Sequence, residues 1–209
     1  MYEKKRIALL KYLQKNNPYP KTALNYNSVF ELLIAVVLSA QTTDIAVNKA
    51  TAKLFTIANT AKKIIKLNIY EISLYIKSVG LYNNKAKNIY NLSQILCDCY
   101  DGNVPNNRNL LEALPGVGRK SANIVLNVFF NQPTIAVDTH VFRVCNRTNF
   151  AVGHNVLEVE QKLLQIVPDE FKKNCHLWFM LHGRHICKAK KPLCNSCYIK
   201  NICEFKGKN

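Results

Sequence analysis

Residues 111–130 read LEALPGVGRKSANIVLNVFF. A helix expected over about 108–113 cannot run on through Pro115, whose ring lacks the N–H and clashes with the preceding turn. Gly116 and Gly118 permit positive φ and close backbone approach, and a second apolar helix is expected over 119–131. The stretch is therefore a helix-hairpin-helix, whose exposed amides at a helix N-terminus suit a phosphate oxygen. A bare αα-corner is the alternative, and the Arg119-Lys120 pair favours contact with a nucleic-acid backbone. A cation is nevertheless poorly placed at the positive end of a helix. That setting, with desolvation by a bound polyanion, disfavours the ammonium form of Lys120 and favours a neutral, nucleophilic amine. A plain phosphate-contacting lysine is the competing role.

The composition around this stretch points the same way. The chain has 209 residues, 48% of them hydrophobic, which excludes disorder and leaves room for one large domain or two modest lobes. It carries 29 Lys and Arg against 13 Asp and Glu, a formal net charge of +16. Such a balance favours polyanions, nucleic acid ahead of an anionic membrane. The longest apolar run, LLIAVVLSA at 32–40, falls short of the ~20 residues that span a bilayer. The N-terminal stretch shows no cleavage-site pattern, so a cytoplasmic protein with reduced cysteines is expected.

Most segments follow the i, i+3, i+4 apolar rhythm of amphipathic helices. Helices are expected from Phe30 to Leu38 with Ser28 as N-cap, and over 44–57, 71–79, 85–99, 139–147, 155–166 and 169–186. Only PTIAVD at 133–138 looks extended. The expectation is an all-α protein of about ten helices.

The first acidic residue after Lys120 is Asp138. A helix over 119–131 is about 18 Å long at ~1.5 Å per residue, and residues 132–138 can span about 23 Å if extended. The chain can thus return Asp138 towards Lys120. Asp138 is also a favoured N-cap for the helix at 139; the roles are compatible, one carboxylate oxygen capping and the other facing an amine. Near the end, Cys187, Cys194, Cys197 and Cys203 are spaced C-x6-C-x2-C-x5-C. Four soft ligands in one compact run are in keeping with a [4Fe–4S] cluster, whereas zinc usually draws on two separated pairs. Lys188, Lys190 and Lys191 would make the intervening loop a basic knuckle, or an ordinary solvated charge run. Cys97, Cys99, Cys145 and Cys175 read as core residues or inert thiols.

LPGVGRKSAN (114–123), VDTHVFRVCNR (137–147), FELLIAVVLSAQTTD (30–44), IKSVGLYNNKA (76–86) and the cysteine tail together resemble the endonuclease III family of DNA glycosylases with AP-lyase activity. The resemblance covers nearly the whole chain. It implies a two-lobed all-α fold: a helical barrel over 22–132, with the hairpin motif at about 108–131, and a cluster lobe of 1–21 plus 133–209. The active site would lie in the groove between the lobes. It implies Lys120 as nucleophile and Asp138 as its acidic partner. Gln41 and Leu81 would enter the duplex as a damaged nucleotide is flipped out, Gly116 and Gly118 would bind phosphate, and Lys191 would contact DNA from the cluster loop. The substrate would be duplex DNA with damaged bases, oxidised pyrimidines above all, or abasic sites, and the protein a monomer. Ser121 stands where threonine is commoner, keeping the hydroxyl. Two alternatives remain at this point: an adenine-type glycosylase, which has no lysine nucleophile, and a non-catalytic iron–sulfur DNA-binding protein.

Overall fold

Small polar side chains start most of the helices. In the computed structural model, which describes residues 1–207, the order is α1 (Glu3–Asn16), α2 (Val29–Leu38), α3 (Asp44–Ile57), α4 (Ala61–Ile64), α5 (Ile69–Tyr75), α6 (Tyr82–Tyr100), α7 (Arg108–Glu112), α8 (Arg119–Val128), α9 (Thr139–Thr148), α10 (Val156–Ile166) and α11 (Asp169–His185). Ser28, Thr43, Thr60, Asn68, Asn107, Asp138 and Asn155 each accept a backbone N–H of the following turn, a cap worth ~1 kcal/mol. The described residues contain no strand, so the extended-looking run at 133–138 is an irregular connection. The helices that fall outside the expected ranges are α1 and the four-residue α4.

The chain divides into two compact units, Ala23–Asn131 and Met1–Thr22 with Gln132–Asn209; residues 208 and 209, the end of the expected 133–209 segment, lie outside the described ones. In the first unit every residue from Phe30 to Leu38 is buried. A helix apolar on all sides belongs inside a domain, and α3, α6 and α8 pack around α2. They supply Val47, Leu54, Ile89, Leu92, Val125 and Leu126 to one core. The single polar residue of that stretch, Glu31, has a local partner, accepting from Asn27 N–H at 2.6 Å.

In the second unit α11 packs against α9 and α1, with Trp178, Phe179 and Phe150 at the centre. Trp178 Nε1 donates to the Asn17 carbonyl at 2.7 Å, and Arg6 Nε to that of Phe150 at 3.0 Å. Cys145 and Cys175 are core thiols, as expected, but Cys99 is exposed, because it falls on the outer face of α6. Among the described residues no helix is long and apolar enough to cross a membrane.

Candidate functional site

The two glycines of the hairpin differ physically. Gly116 has φ +79°, and a Cβ there would lie 2.9 Å from Asn88 Nδ2, so the fold itself demands glycine. Gly118 sits at φ −94°, ψ 174°, open to any residue, and a Cβ there would meet nothing within 4 Å. What glycine contributes at 118 is unobstructed approach to the start of α8. No side chain caps that start, so its first amides point outward without intrahelical partners.

Arg119 Nη1 reaches back across the hairpin to Glu112 Oε1 at 4.0 Å, where Arg108 Nε also approaches at 3.7 Å. Glu112 therefore offsets charge beside the hairpin while leaving Lys120 alone. Lys120 is exposed, and among the described residues its ammonium has no hydrogen bond or ion pair. It is a free amine donor beside a set of open amides.

Asp138 caps α9: Oδ1 accepts from His140 N–H at 2.9 Å and Val141 N–H at 2.8 Å. One carboxylate oxygen thus satisfies two orphan donors, and Oδ2 takes no part in the cap.

Gln41 and Leu81 share an uncommon property. Both adopt left-handed backbone, φ 52° and φ 58°, which costs a residue with a Cβ of order 1 kcal/mol or more. Both are exposed, Leu81 by 61%. Loop packing, which the sequence by itself suggests for Leu81, does not occur; the side chain is held out into solvent at the N-cap of α6. The two loops touch, since a Cβ on Gly80 would lie 3.3 Å from the Gln41 carbonyl oxygen.

Cys187, Cys194, Cys197 and Cys203 line one pocket whose other walls include Ile186, Leu193, Ile199 and Phe205. Among the described residues no three His, Cys, Asp or Glu side chains stand where they could hold a metal ion. Four thiols lining one small apolar space are a soft donor set whose chemistry fits an iron–sulfur cluster. Donors to sulfur are in place: Phe205 N–H to Cys203 Sγ at 3.5 Å and Arg147 Nη1 to Cys187 Sγ at 3.7 Å. His182 lies beside them, Nε2 3.8 Å from Cys197 Sγ and Nδ1 3.1 Å from the Tyr198 hydroxyl. Burial lowers its pKa to about 4. Lys191, in the cysteine loop, is exposed with φ 49°.

Three residues to which sequence reasoning gave no role hold these features. Arg143 donates to the carbonyls of Gly183 and Cys187 at 2.8 and 3.0 Å. Arg147 donates to those of Lys188 and Ala189 at 2.6 and 2.8 Å, so α9 carries the start of the cysteine loop on two arginines one turn apart. The third is Lys85, buried with 5% exposure. Its signal was present: 85 falls in register with the buried Ile89, Leu92 and Leu96 on the apolar stripe of α6, where an unpaired lysine does not belong.

Residues 34–169 match the HhH-GPD superfamily of base excision DNA repair proteins. Endonuclease III of Escherichia coli (strain K12) is 58% identical over 208 residues, spanning 100% of this chain and 99% of that protein. Endonuclease III of Haemophilus influenzae (strain ATCC 51907 / DSM 11121 / KW20 / Rd) is 57% identical with the same coverage. Among solved structures, a trapped endonuclease III–DNA covalent intermediate, an estranged-adenine complex, matches with a TM-score of 0.92 and 44% identity, covering 98% of this chain and 96% of that one. A thermostable thymine-DNA glycosylase matches with a TM-score of 0.87 and 26% identity, covering 97% and 96%.

Proposed function

This chain belongs to the HhH-GPD superfamily of base excision DNA repair proteins, and within it to the endonuclease III family, and from that premise we propose that it is a DNA glycosylase with associated AP-lyase activity. It acts as a monomer in the cytoplasm on duplex DNA containing damaged, chiefly oxidised, pyrimidines or abasic sites. Extruding the target nucleotide costs least where stacking is already impaired. The hairpin amides opened by Gly116 and Gly118 receive a backbone phosphate, and Lys191 contacts DNA from the cysteine loop.

The observation that carries the chemistry is the unpaired, exposed Lys120 ammonium on the first turn of α8. Its amine, once neutral, attacks C1′ of the flipped nucleotide. The glycosidic bond breaks with its electrons leaving on the base, and opening of the sugar gives a Schiff base. Loss of a C2′ proton then expels the 3′ phosphate oxygen, cutting the strand by β-elimination. Asp138, with Oδ1 engaged by amides, uses its carboxylate charge to help deprotonate the attacking amine and to stabilise positive charge developing on the sugar. Cys187, Cys194, Cys197 and Cys203 would hold a [4Fe–4S] cluster, which supplies a four-point covalent cross-link of the loop.

Borohydride tests this directly, because it reduces only a Schiff base to a stable protein–DNA adduct. Wild-type protein should be trapped on abasic duplex. Lys120→Gln should lose both adduct and strand cleavage while retaining duplex binding. An adduct formed by Lys120→Gln would assign the nucleophile elsewhere, and no adduct with wild type would favour a non-catalytic DNA-binding protein.

A further inference from the structure

The Lys85 ammonium is enclosed by three oxygens, none a carboxylate. Nζ donates to the carbonyls of Leu38 at 2.9 Å and Ala40 at 2.5 Å and to Thr42 Oγ1 at 3.0 Å. Two of these lie immediately before and after Gln41. The backbone of the same residue donates to the Leu81 carbonyl at 3.1 Å. Lys85 is therefore bonded through its side chain to both flanks of one left-handed residue and through its main chain to the other.

This is a costly arrangement for ordinary packing. A buried ammonium without a counter-charge is penalised by desolvation, and burial does pull its pKa below the usual lysine value. The orphan carbonyls at the end of α2 could be met by water or a glycine cap. Lysine offers instead three divergent donors on one centre and a charge that suits the negative end of α2. Elsewhere the Gln41 turn is held by Thr42, whose N–H donates to the Ser39 carbonyl at 3.2 Å and whose hydroxyl donates to the Ala40 carbonyl at 3.2 Å. Left-handed backbone at an exposed glutamine persists only where its surroundings impose it.

We infer that Lys85 is a positioning residue for duplex opening: it fixes the Gln41 turn relative to Leu81 so that both side chains meet the DNA preorganised. The inference rests on the proposed entry of Gln41 and Leu81 into the duplex. Its consequence is selective, because a misplaced wedge affects extrusion of a stacked nucleotide and leaves Schiff-base formation at an already flexible site to Lys120.

The experiment compares single-turnover excision of a well-stacked oxidised pyrimidine in duplex with borohydride trapping at an abasic site in a mismatched, flexible duplex. Gln41→Ala and Leu81→Ala come first, and a selective loss on the stacked lesion supports the wedge role. Lys85→Met should then slow the stacked lesion about ten- to a hundredfold, the scale of small misplacements remote from chemistry, and the flexible abasic site far less. Combined with Gln41→Ala it should add little, since both act through one turn. Lys85→Arg should not rescue, because a planar guanidinium cannot reproduce three bonds from one nitrogen. Thr42→Val removes the Oγ1 acceptor of Lys85 together with that hydroxyl's own bond to the Ala40 carbonyl and should show the same selectivity in milder form. Lys85→Gln, which keeps a donor at the site, decides the matter if Lys85→Met does not fold. Equal losses on both substrates, or full additivity with Gln41→Ala, would overturn the positioning role while the wedge stands. No selective loss in Gln41→Ala and Leu81→Ala would remove the wedge and Lys85's role with it.

Discussion

Asp138 shows how one side chain can serve fold and chemistry at once. Its Oδ1 accepts two amides at the start of α9, and asparagine caps a helix about as well as aspartate. Asp138→Asn should therefore keep the melting temperature nearly unchanged while base release falls by about 10²–10⁴-fold, the usual worth of general acid–base help. A variant that unfolds would reduce Asp138 to its cap. The hairpin glycines separate in the opposite sense. Gly116→Ala places a Cβ 2.9 Å from Asn88 Nδ2 at φ +79°, and should cost about 1 kcal/mol or more of stability. Gly118→Ala meets nothing within 4 Å and should leave thermal stability alone while weakening duplex binding, as a methyl group now stands before the open amides. Equal duplex affinity of Gly118→Ala and wild type would show that no phosphate comes close there.

Helices and loops decide whether the cysteines can act together. The tail is braced by Arg143 and Arg147 of α9, and N–H donors lie against the sulfurs of Cys187 and Cys203, the kind of outer-shell contact that orients ligands. Protein purified anaerobically should be yellow-brown with about four iron atoms per chain; stoichiometric zinc without iron would exclude the cluster. The cysteine spacing made this pocket legible from the sequence, as the caps Ser28 and Asp138 made α2 and α9. Other elements were obscured for physical reasons. α5 was expected over 71–79, yet it starts at Ile69 from an Asn68–Glu71 capping box and ends at Tyr75, because buried Ile72, Ile76 and Val79 keep helical spacing through a turn that is no longer helical. α4 is four residues long, too short to show a period. α6 begins at Tyr82 rather than 85, after a leucine N-cap with no capping side chain, and no propensity rule places leucine in left-handed backbone. Lys85 was hidden by its residue type, since lysine is read as surface until its register with Ile89, Leu92 and Leu96 is noticed.

For the molecule as a whole, the relevant quantity is unbalanced charge. With 29 basic and 13 acidic side chains, several acids are already committed: Glu204 to the N-terminus and Lys5, Asp101 to Lys62, Asp169 to Lys172 and Glu112 to Arg108 and Arg119. Pairing every acid once would still leave the net +16 facing solvent, and such an excess draws a polyanion in from a distance. Binding to undamaged duplex should accordingly weaken steeply with salt, each neutralised phosphate contributing about −0.9 to the slope of log affinity against log salt. Lys191 gives this a single-residue test. It is exposed, with left-handed backbone at φ 49°, in the loop that also carries Lys188 and Lys190. If it meets a phosphate, Lys191→Ala should make the salt slope shallower by about 0.9 and weaken binding alike on all sequences. The rate of Lys120 trapping at saturating protein should not change, since Lys191 takes no part in Schiff-base formation. An unaltered slope would show that its charge stays in solvent and that the cluster loop contacts DNA through other groups or not at all.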